Sequence, residues 1–221
     1  MSRDFRELPP DLPVPVDDGA ADHLEGMAFP ELSLRSTSGG EVSLPSAFGE
    51  RAVLFTYPRT GTPGEPLLPG WDDIPGARGC TPQSCAYREN LAGFRSAGLA
   101  VFGLSAQTAE AHAEFHARES IPYELISDPG LKLAETLRLP TFAISSLTLY
   151  RRLTMIIEAG QIAKVFYPVF PPDQDAATST RSSSRPACAK ERPSCSCCPS
   201  EARRRRVHLR TNDHGPLRSG R

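Results

Sequence analysis

No run of apolar residues in this 221-residue chain approaches the eighteen or so that a membrane-crossing helix needs, so no bilayer span is expected. Net charge is nearly lacking too. The formal value of −1 argues against a nucleic-acid footprint spread over the whole protein. No segment repeats at a fixed period, which excludes solenoids and propellers. The opening stretch, MSRDFRELPPDLPVPVDDGAADHLEG, lacks the apolar heart of a secretory signal. The expected compartment is therefore the cytoplasm, where disulfides are usually transient and catalytic. Apolar residues are somewhat scarce at 39%, against a globular average of about 45–50%. With 22 prolines as well, part of the chain is expected to stay unpacked.

The overall charge hides two different materials. From residue 174 onward there are ten arginines and one lysine against two aspartates and two glutamates, a net of +7, which leaves −8 on the first 173 residues. Residues 1–25 read as an extended, weakly ordered arm, because Pro9, Pro10, Pro13 and Pro15 forbid a regular helix. Residues 26–173 carry the globular patterns. Leu32, Leu34, Val42 and Leu44 alternate around a Ser-Gly-Gly turn as two short strands would. AVLFTYP (52–58) and LAVFGLSA (99–106) are near-continuous apolar runs, as expected of strands covered on both faces. Residues 82–97 and 108–119 read as helices, 123–128 as a strand, 130–138 as a short helix, and 152–168 as a hairpin about Glu158–Gln161. Strands alternating with helical segments imply crossovers and parallel pairing, and the closing hairpin adds antiparallel strands. The expected fold class is α/β: a thioredoxin-like layer, with a central mixed sheet flanked by helices. Residues 174–221 lose all periodicity and have too little to bury to offset their ordering entropy, so they are expected to be a disordered basic tail rich in Ser, Arg and Cys.

Only two of the six cysteines fall in the globular part, in GCTPQSCAYR (79–88). Pro82 suits the first position of a helix and Thr81 a side-chain N-cap. Cys80 then sits at the helix mouth, near the unpaired N–H groups and the positive end of the dipole, where the reactive thiolate is favoured. Cys85 lies five residues on, so an intact helix would hold the two Cα atoms about 7.5 Å apart along its axis. A disulfide needs about 4.4–6.8 Å. The pair can bond only if the first turn unwinds, which suits a two-state cycle. Two plainer readings stay open on spacing alone. Cysteines often pack as small hydrophobes, and C-x4-C is half of a zinc site, though no second pair stands in the globular part.

FTYPRTGTPG followed by GCTPQSCAYREN resembles the active-site segment of peroxiredoxins, in particular the atypical two-cysteine group similar to peroxiredoxin Q and bacterioferritin-comigratory protein. The resemblance runs from about Met27 to Asp173 and takes in GLAVFGLSA, YELISDP and RLTMIIEAGQIAKVFYP. It implies a thiol-dependent peroxidase acting on hydrogen peroxide or organic hydroperoxides. In that frame Cys80 is the peroxidatic cysteine, which becomes a sulfenic acid. Cys85 is the resolving cysteine, which forms an intramolecular disulfide that a thioredoxin-type reductant reopens. Pro58 shields the sulfur, Thr62 hydrogen-bonds thiolate and peroxide, and Arg152 stabilises negative charge, with Arg151 the adjacent alternative. A strand arginine is ordinarily a surface ion, so this last role comes from the resemblance alone. No cofactor, metal, nucleic acid or membrane partner is implied, and the expected state is a monomer or weak homodimer.

Two features depart from the family pattern. EPLLPGWDDIPGARG (65–79) separates Thr-Pro-Gly from the cysteine, and Ala77 stands where the hydroxyl usually does. We expect the insertion to loop out cheaply and leave Thr62 facing Cys80, with Trp71 either a hydrophobic wall or a plain surface residue. The usual closing amphipathic helix is also replaced by the Ser/Arg/Cys tail, an abrupt change that fits a shifted reading frame. In that tail Cys188, Cys195, Cys197, Cys198, His208 and His214 match no regular tetrahedral pattern, and Arg203–Arg206 reads as a solvated basic run. His112 and His116 read as surface histidines. Two other functions compete: a thioredoxin-fold disulfide oxidoreductase, which C-x4-C in place of C-x-x-C disfavours, and a non-catalytic thioredoxin-fold binding or chaperone module.

Overall fold

Strand β3, Arg51–Thr56, shows how the chain layers itself. Its side chains alternate between two cores: Ala52 and Leu54 enter one, Val53 and Phe55 the other. A strand with four apolar residues in succession must be covered on both faces, and this one lies deep within a seven-stranded sheet. The computed structural model describes residues 7–183. In chain order its other strands are β1 (Ser33–Ser36), β2 (Glu41–Ser43), β4 (Ala100–Ser105), β5 (Glu124–Ser127), β6 (Thr141–Ile144), β7 (Leu147–Tyr150), β8 (Leu153–Glu158) and β9 (Gln161–Phe166). The sheet order is β2-β1-β5-β4-β3-β8-β9. β3, β4 and β5 pair in parallel, with Val53 opposite Val101 and Phe102 opposite Glu124. β8 runs antiparallel to β3, with Leu54 opposite Met155. This is the expected mixed thioredoxin-like sheet.

The helices are α1 (Leu44–Phe48), α2 (Cys80–Glu89), α3 (Leu91–Ser96), α4 (Ala109–Arg118), α5 (Lys132–Leu137) and α6 (Asp175–Ser183). One sheet face packs Phe48, Leu133 and Leu137 together with Leu24 and Phe29 from the N-terminal segment. The opposite face packs Tyr87, Phe94, Phe115 and Ala176 from α2, α3, α4 and α6. There Phe55 stacks on Tyr87, with centroids 4.1 Å apart and planes within 4°. β6 and β7 form a separate hairpin that seats Ile144 and Leu149 against Trp71.

Several expectations need correction. α2 is capped by Gly79 at φ 99°, not by the Thr81 side chain, so Cys80 itself is the first helical residue. Glycine alone takes that angle without strain. Pro82 is tolerated at the third position because the first internal bond, Gln83 N–H to Gly79 O (3.0 Å), needs nothing from it; the earlier N–H groups have no helical partner in any case. The helix expected over 82–97 breaks at Asn90, whose amide turns back to the Ala86 carbonyl (2.8 Å). The described part of the arm lies along the domain: Ala21 and Leu24 are buried, and Gly26 N–H bonds the Ile162 carbonyl (2.8 Å). The tail expected from 174 begins too early, because 175–183 form α6, packed on α2 and β8. Its buried Asp175 accepts hydrogen bonds from α2 and β8, and Ala176 packs into the core. The remaining expectations for the tail, its metal and basic-run readings included, concern residues outside those described. His112 is no surface residue but fully buried. Among the described residues no helix is long and apolar enough to cross a membrane, and no cluster of three or more His, Cys, Asp or Glu side chains could hold a metal ion.

Candidate active site

Where β3 ends, the chain passes through Tyr57 and Pro58, both buried, into Arg59–Thr62. These last four residues line an open cavity together with Cys80 and Thr81. The insertion supplies the rest. Leu67, Leu68 and Trp71 line the same cavity, and Trp71, 5% exposed, is anchored beneath by Ala77, Ile144 and Leu149. Of the two readings of Trp71, the structure therefore selects the wall. A buried contact from Arg78 Nε to Asp72 Oδ1 (3.3 Å) ties the insertion to itself.

Cys80 is buried, its thiol directed at the Ala77 carbonyl (3.7 Å). Arg152 reaches it from the start of β8 with Nη2 3.3 Å from the sulfur. The same Nη2 donates to the carbonyls of Arg78 (3.0 Å), Gly76 (3.3 Å) and Ala77 (3.4 Å), while Nη1 donates to Gln83 Oε1. So many acceptors around a guanidinium only 3% exposed hold its plane in place. Arg151 turns elsewhere, its Nε on the Thr141 carbonyl (3.3 Å). Cys85, partly buried, sits near Glu119 Oε2 (3.9 Å). Both cysteines are reduced, and the helix between them is intact. Thr62 lines the cavity with Cys80, and the sulfur's hydrogen bonds are to Ala77 and Arg152. Thr60 is the more firmly held hydroxyl: its N–H and Oγ1 both bond Gln107 Oε1 (2.8 and 3.1 Å).

Those contacts make a chemical unit: a thiol at a helix start, a fixed cation on its sulfur, and beside it an opening lined by both polar and apolar residues. A redoxin family model matches residues 24–180. The chain belongs to the redoxin family. Within it, the relatives are peroxiredoxins. A rice protein (Oryza sativa subsp. indica) called putative peroxiredoxin Q, chloroplastic, is 31% identical over 143 residues, covering 65% of this chain and 58% of its own length. Peroxiredoxin Q of Arabidopsis thaliana, also called chloroplastic, is 29% identical over the same shares. The chain thus spans less than two thirds of the length of these curated relatives. Among solved structures, peroxiredoxin Q of Xanthomonas campestris superposes with a TM-score of 0.56 at 19% identity, over 78% of this chain and 96% of that one. Peroxidoxin BcpB from Mycobacterium tuberculosis gives 0.58 at 20%, over 73% and 96%. These two support the fold.

Three features escape a reading of the sequence. Gln83, fully buried, bridges Arg152 to Asp175; the only hint is its place on the face of α2 that also carries Tyr87, four residues on. Asp175 lies beyond the apparent end of the domain. His112 binds Ser105 Oγ (2.7 Å), Ser127 Oγ (2.9 Å) and the Tyr57 hydroxyl (3.2 Å), drawing together the ends of β3, β4 and β5. Burial lowers its pKa to about 4. Burial first, and then neighbouring Cys80, raise that of the Tyr57 phenol, which therefore stays a neutral hydroxyl beneath the site.

Proposed function

We propose that this protein is a thiol peroxidase in which Cys80 reduces hydrogen peroxide or an organic hydroperoxide. One observation carries the reading: the Arg152 guanidinium lies 3.3 Å from the sulfur of Cys80, a residue that lines an open cavity. The Cys80 thiolate attacks the terminal peroxide oxygen. An S–O bond forms, the O–O bond breaks, and the departing alkoxide or hydroxide takes a proton to leave as alcohol or water. Arg152 holds the thiolate and the charge that develops on the oxygens. Thr62 is the candidate hydroxyl for the bound peroxide, and Pro58 keeps water from the sulfur. The leucines and Trp71 of the insertion favour a hydroperoxide with an apolar group.

The product is a Cys80 sulfenic acid. After the first turn of α2 unwinds, the Cys85 sulfur attacks the Cys80 sulfur, a disulfide forms, and hydroxide leaves to become water. A thioredoxin-type dithiol then gives up two electrons by exchange, restoring both thiols as it becomes a disulfide itself. One equivalent of hydrogen peroxide, followed by mass spectrometry of peptides, tests the reading. A Cys80–Cys85 disulfide is the expected result, with Cys80→Ser abolishing peroxide-dependent consumption of reductant and Cys85→Ser stopping at the sulfenic acid. Full turnover by Cys80→Ser would refute it. A protein whose cysteines show no selective oxidation would instead be a binding module.

A further inference from the structure

The last described helix brings a carboxylate to the back of the site, where the proposed chemistry makes no direct use of it. Asp175 opens α6 and is 4% exposed. Its Oδ2 accepts three hydrogen bonds, from Gln83 Nε2 (2.7 Å), Thr154 Oγ1 (2.8 Å) and the Tyr87 hydroxyl (2.9 Å). Gln83 and Tyr87 lie one turn apart on the same face of α2, while Thr154 belongs to β8. One oxygen therefore grips α2 at two points and the sheet at a third. Burial raises the Asp175 pKa, and the bonds from Gln83, Thr154 and Tyr87, with the charge of Arg152, pull it back.

A side-chain amide carries its donors and its acceptor on opposite sides. With its amino group on the carboxylate, Gln83 must turn its carbonyl the other way, where Arg152 Nη1 donates to it. The flipped amide would set NH₂ against a guanidinium that has no acceptor, and a carbonyl against a carboxylate that has no proton. Asp175 and Arg152 thus set the amide between them, the amide holds one edge of Arg152, and another nitrogen of that guanidinium faces Cys80. Gln83 also lies between the two cysteines. Any unwinding that joins them must pull Gln83 away from both Asp175 and Arg152.

We propose that Asp175 is a positioning residue that acts through Gln83: it aligns Arg152 on Cys80 while α2 is wound, and it latches the first turn of α2 against the unwinding that joins Cys80 to Cys85. Its catalytic consequence rests on the peroxidase reading, but the latch is a property of the reduced fold. Asp175 makes and breaks no covalent bond in either step. A hydrogen bond to a charged group is strong enough to shift an opening equilibrium roughly tenfold or more. Losing it should therefore move the two chemical steps in opposite directions. Attack on peroxide slows because Arg152 loses its fixed partner, and disulfide formation quickens because the turn opens more often.

The test uses the full chain as Asp175→Ala, Asp175→Asn, Gln83→Ala and the double Ala variant. Hydrogen exchange of the Gln83, Ser84 and Cys85 amides in the reduced protein reads the latch (the backbone amide of residue 83 is followed in the variant). Stopped-flow oxidation with hydrogen peroxide reads the second-order attack and the first-order disulfide step separately. Asp175→Ala should raise exchange about tenfold, slow attack by a similar factor and speed disulfide formation. Asp175→Asn keeps an oxygen toward Gln83 and should recover most of the attack rate. In the Gln83→Ala background, Asp175→Ala should add little to the slowing of attack, as expected of residues acting in series, and have a smaller effect on exchange, through the bonds to Tyr87 and Thr154 alone. Unchanged exchange in Asp175→Ala, or equal effects of that change with and without Gln83, would overturn the proposal. Should Asp175→Ala not fold, Gln83→Ala alone must show the same faster exchange and split in rates, and wild-type behaviour there would also overturn it. If the wild-type protein forms no disulfide with peroxide, the peroxidase reading fails, and exchange still decides the latch.

Discussion

Acidification should destabilise this protein through one histidine. His112 has no exposed surface, and both of its ring nitrogens face hydroxyls: Ser127 on Nδ1, with Ser105 and Tyr57 on Nε2. Hydroxyls can accept from an imidazolium as readily as they serve the neutral ring, so lost hydrogen bonds are not what opposes protonation. Burial of the charge is, and it lowers the pKa from 6.5 to about 4. Between those values the unfolded chain binds a proton that the folded one refuses, so stability rises with pH there and is lost as pH falls from 6.5 toward 4. A difference of 2.5 pH units, at about 1.36 kcal/mol each, makes the full effect about 3 kcal/mol, with roughly 2 kcal/mol of it gone by about pH 5. Urea unfolding at a series of pH values would measure this, comparing the wild type with His112→Gln. The comparison is needed because Asp175, whose carboxyl is raised by burial, contributes with the opposite sign in both proteins. The wild-type curve should fall more steeply below about pH 6.5. Parallel curves would refute the reasoning.

Gly79→Ala should destabilise by roughly 3 kcal/mol by chemical denaturation, combining a left-handed angle with overpacking: an added Cβ would lie 2.3 Å from Pro172 Cγ and 3.0 Å from Leu8 Cδ2. A loss under about 1 kcal/mol would mean that the segment around Pro172 moves aside freely. Trp71→Ala should raise KM for an aryl-alkyl hydroperoxide about fivefold, through lost apolar contact, and leave the hydrogen peroxide value nearly unchanged. Equal effects on both substrates would remove the insertion from substrate choice.

The strands are legible in the sequence because their physics is local. Ala52, Val53, Leu54 and Phe55 are apolar in succession, and a run that short, ended by Pro58, reads as a strand covered on both faces. The cysteine pair is legible for a similar reason: helical rise over five residues is fixed, so the geometric conflict between Cys80 and Cys85 follows from counting. The start of α2 is not. Thr81 and Pro82 suit an N-cap and a first helical position, yet Gly79 turns the chain first, at a left-handed angle and with Pro172 and Leu8 close against it.

By itself, the sequence determined the layered α/β order, the thiol at a helix start and the separation that keeps two sulfurs apart. Each depends on periods and distances that a few neighbouring residues impose. Tertiary structure alone decided which arginine faces the sulfur, since Arg151 and Arg152 are adjacent and only pairing of β8 with β3 turns one of them inward. It likewise decided that Trp71 lines a cavity, that His112 is buried, and that Asp175 belongs to the site. All of these rest on contacts between residues far apart in the chain, where a polar side chain's meaning comes from the partners that burial forces upon it.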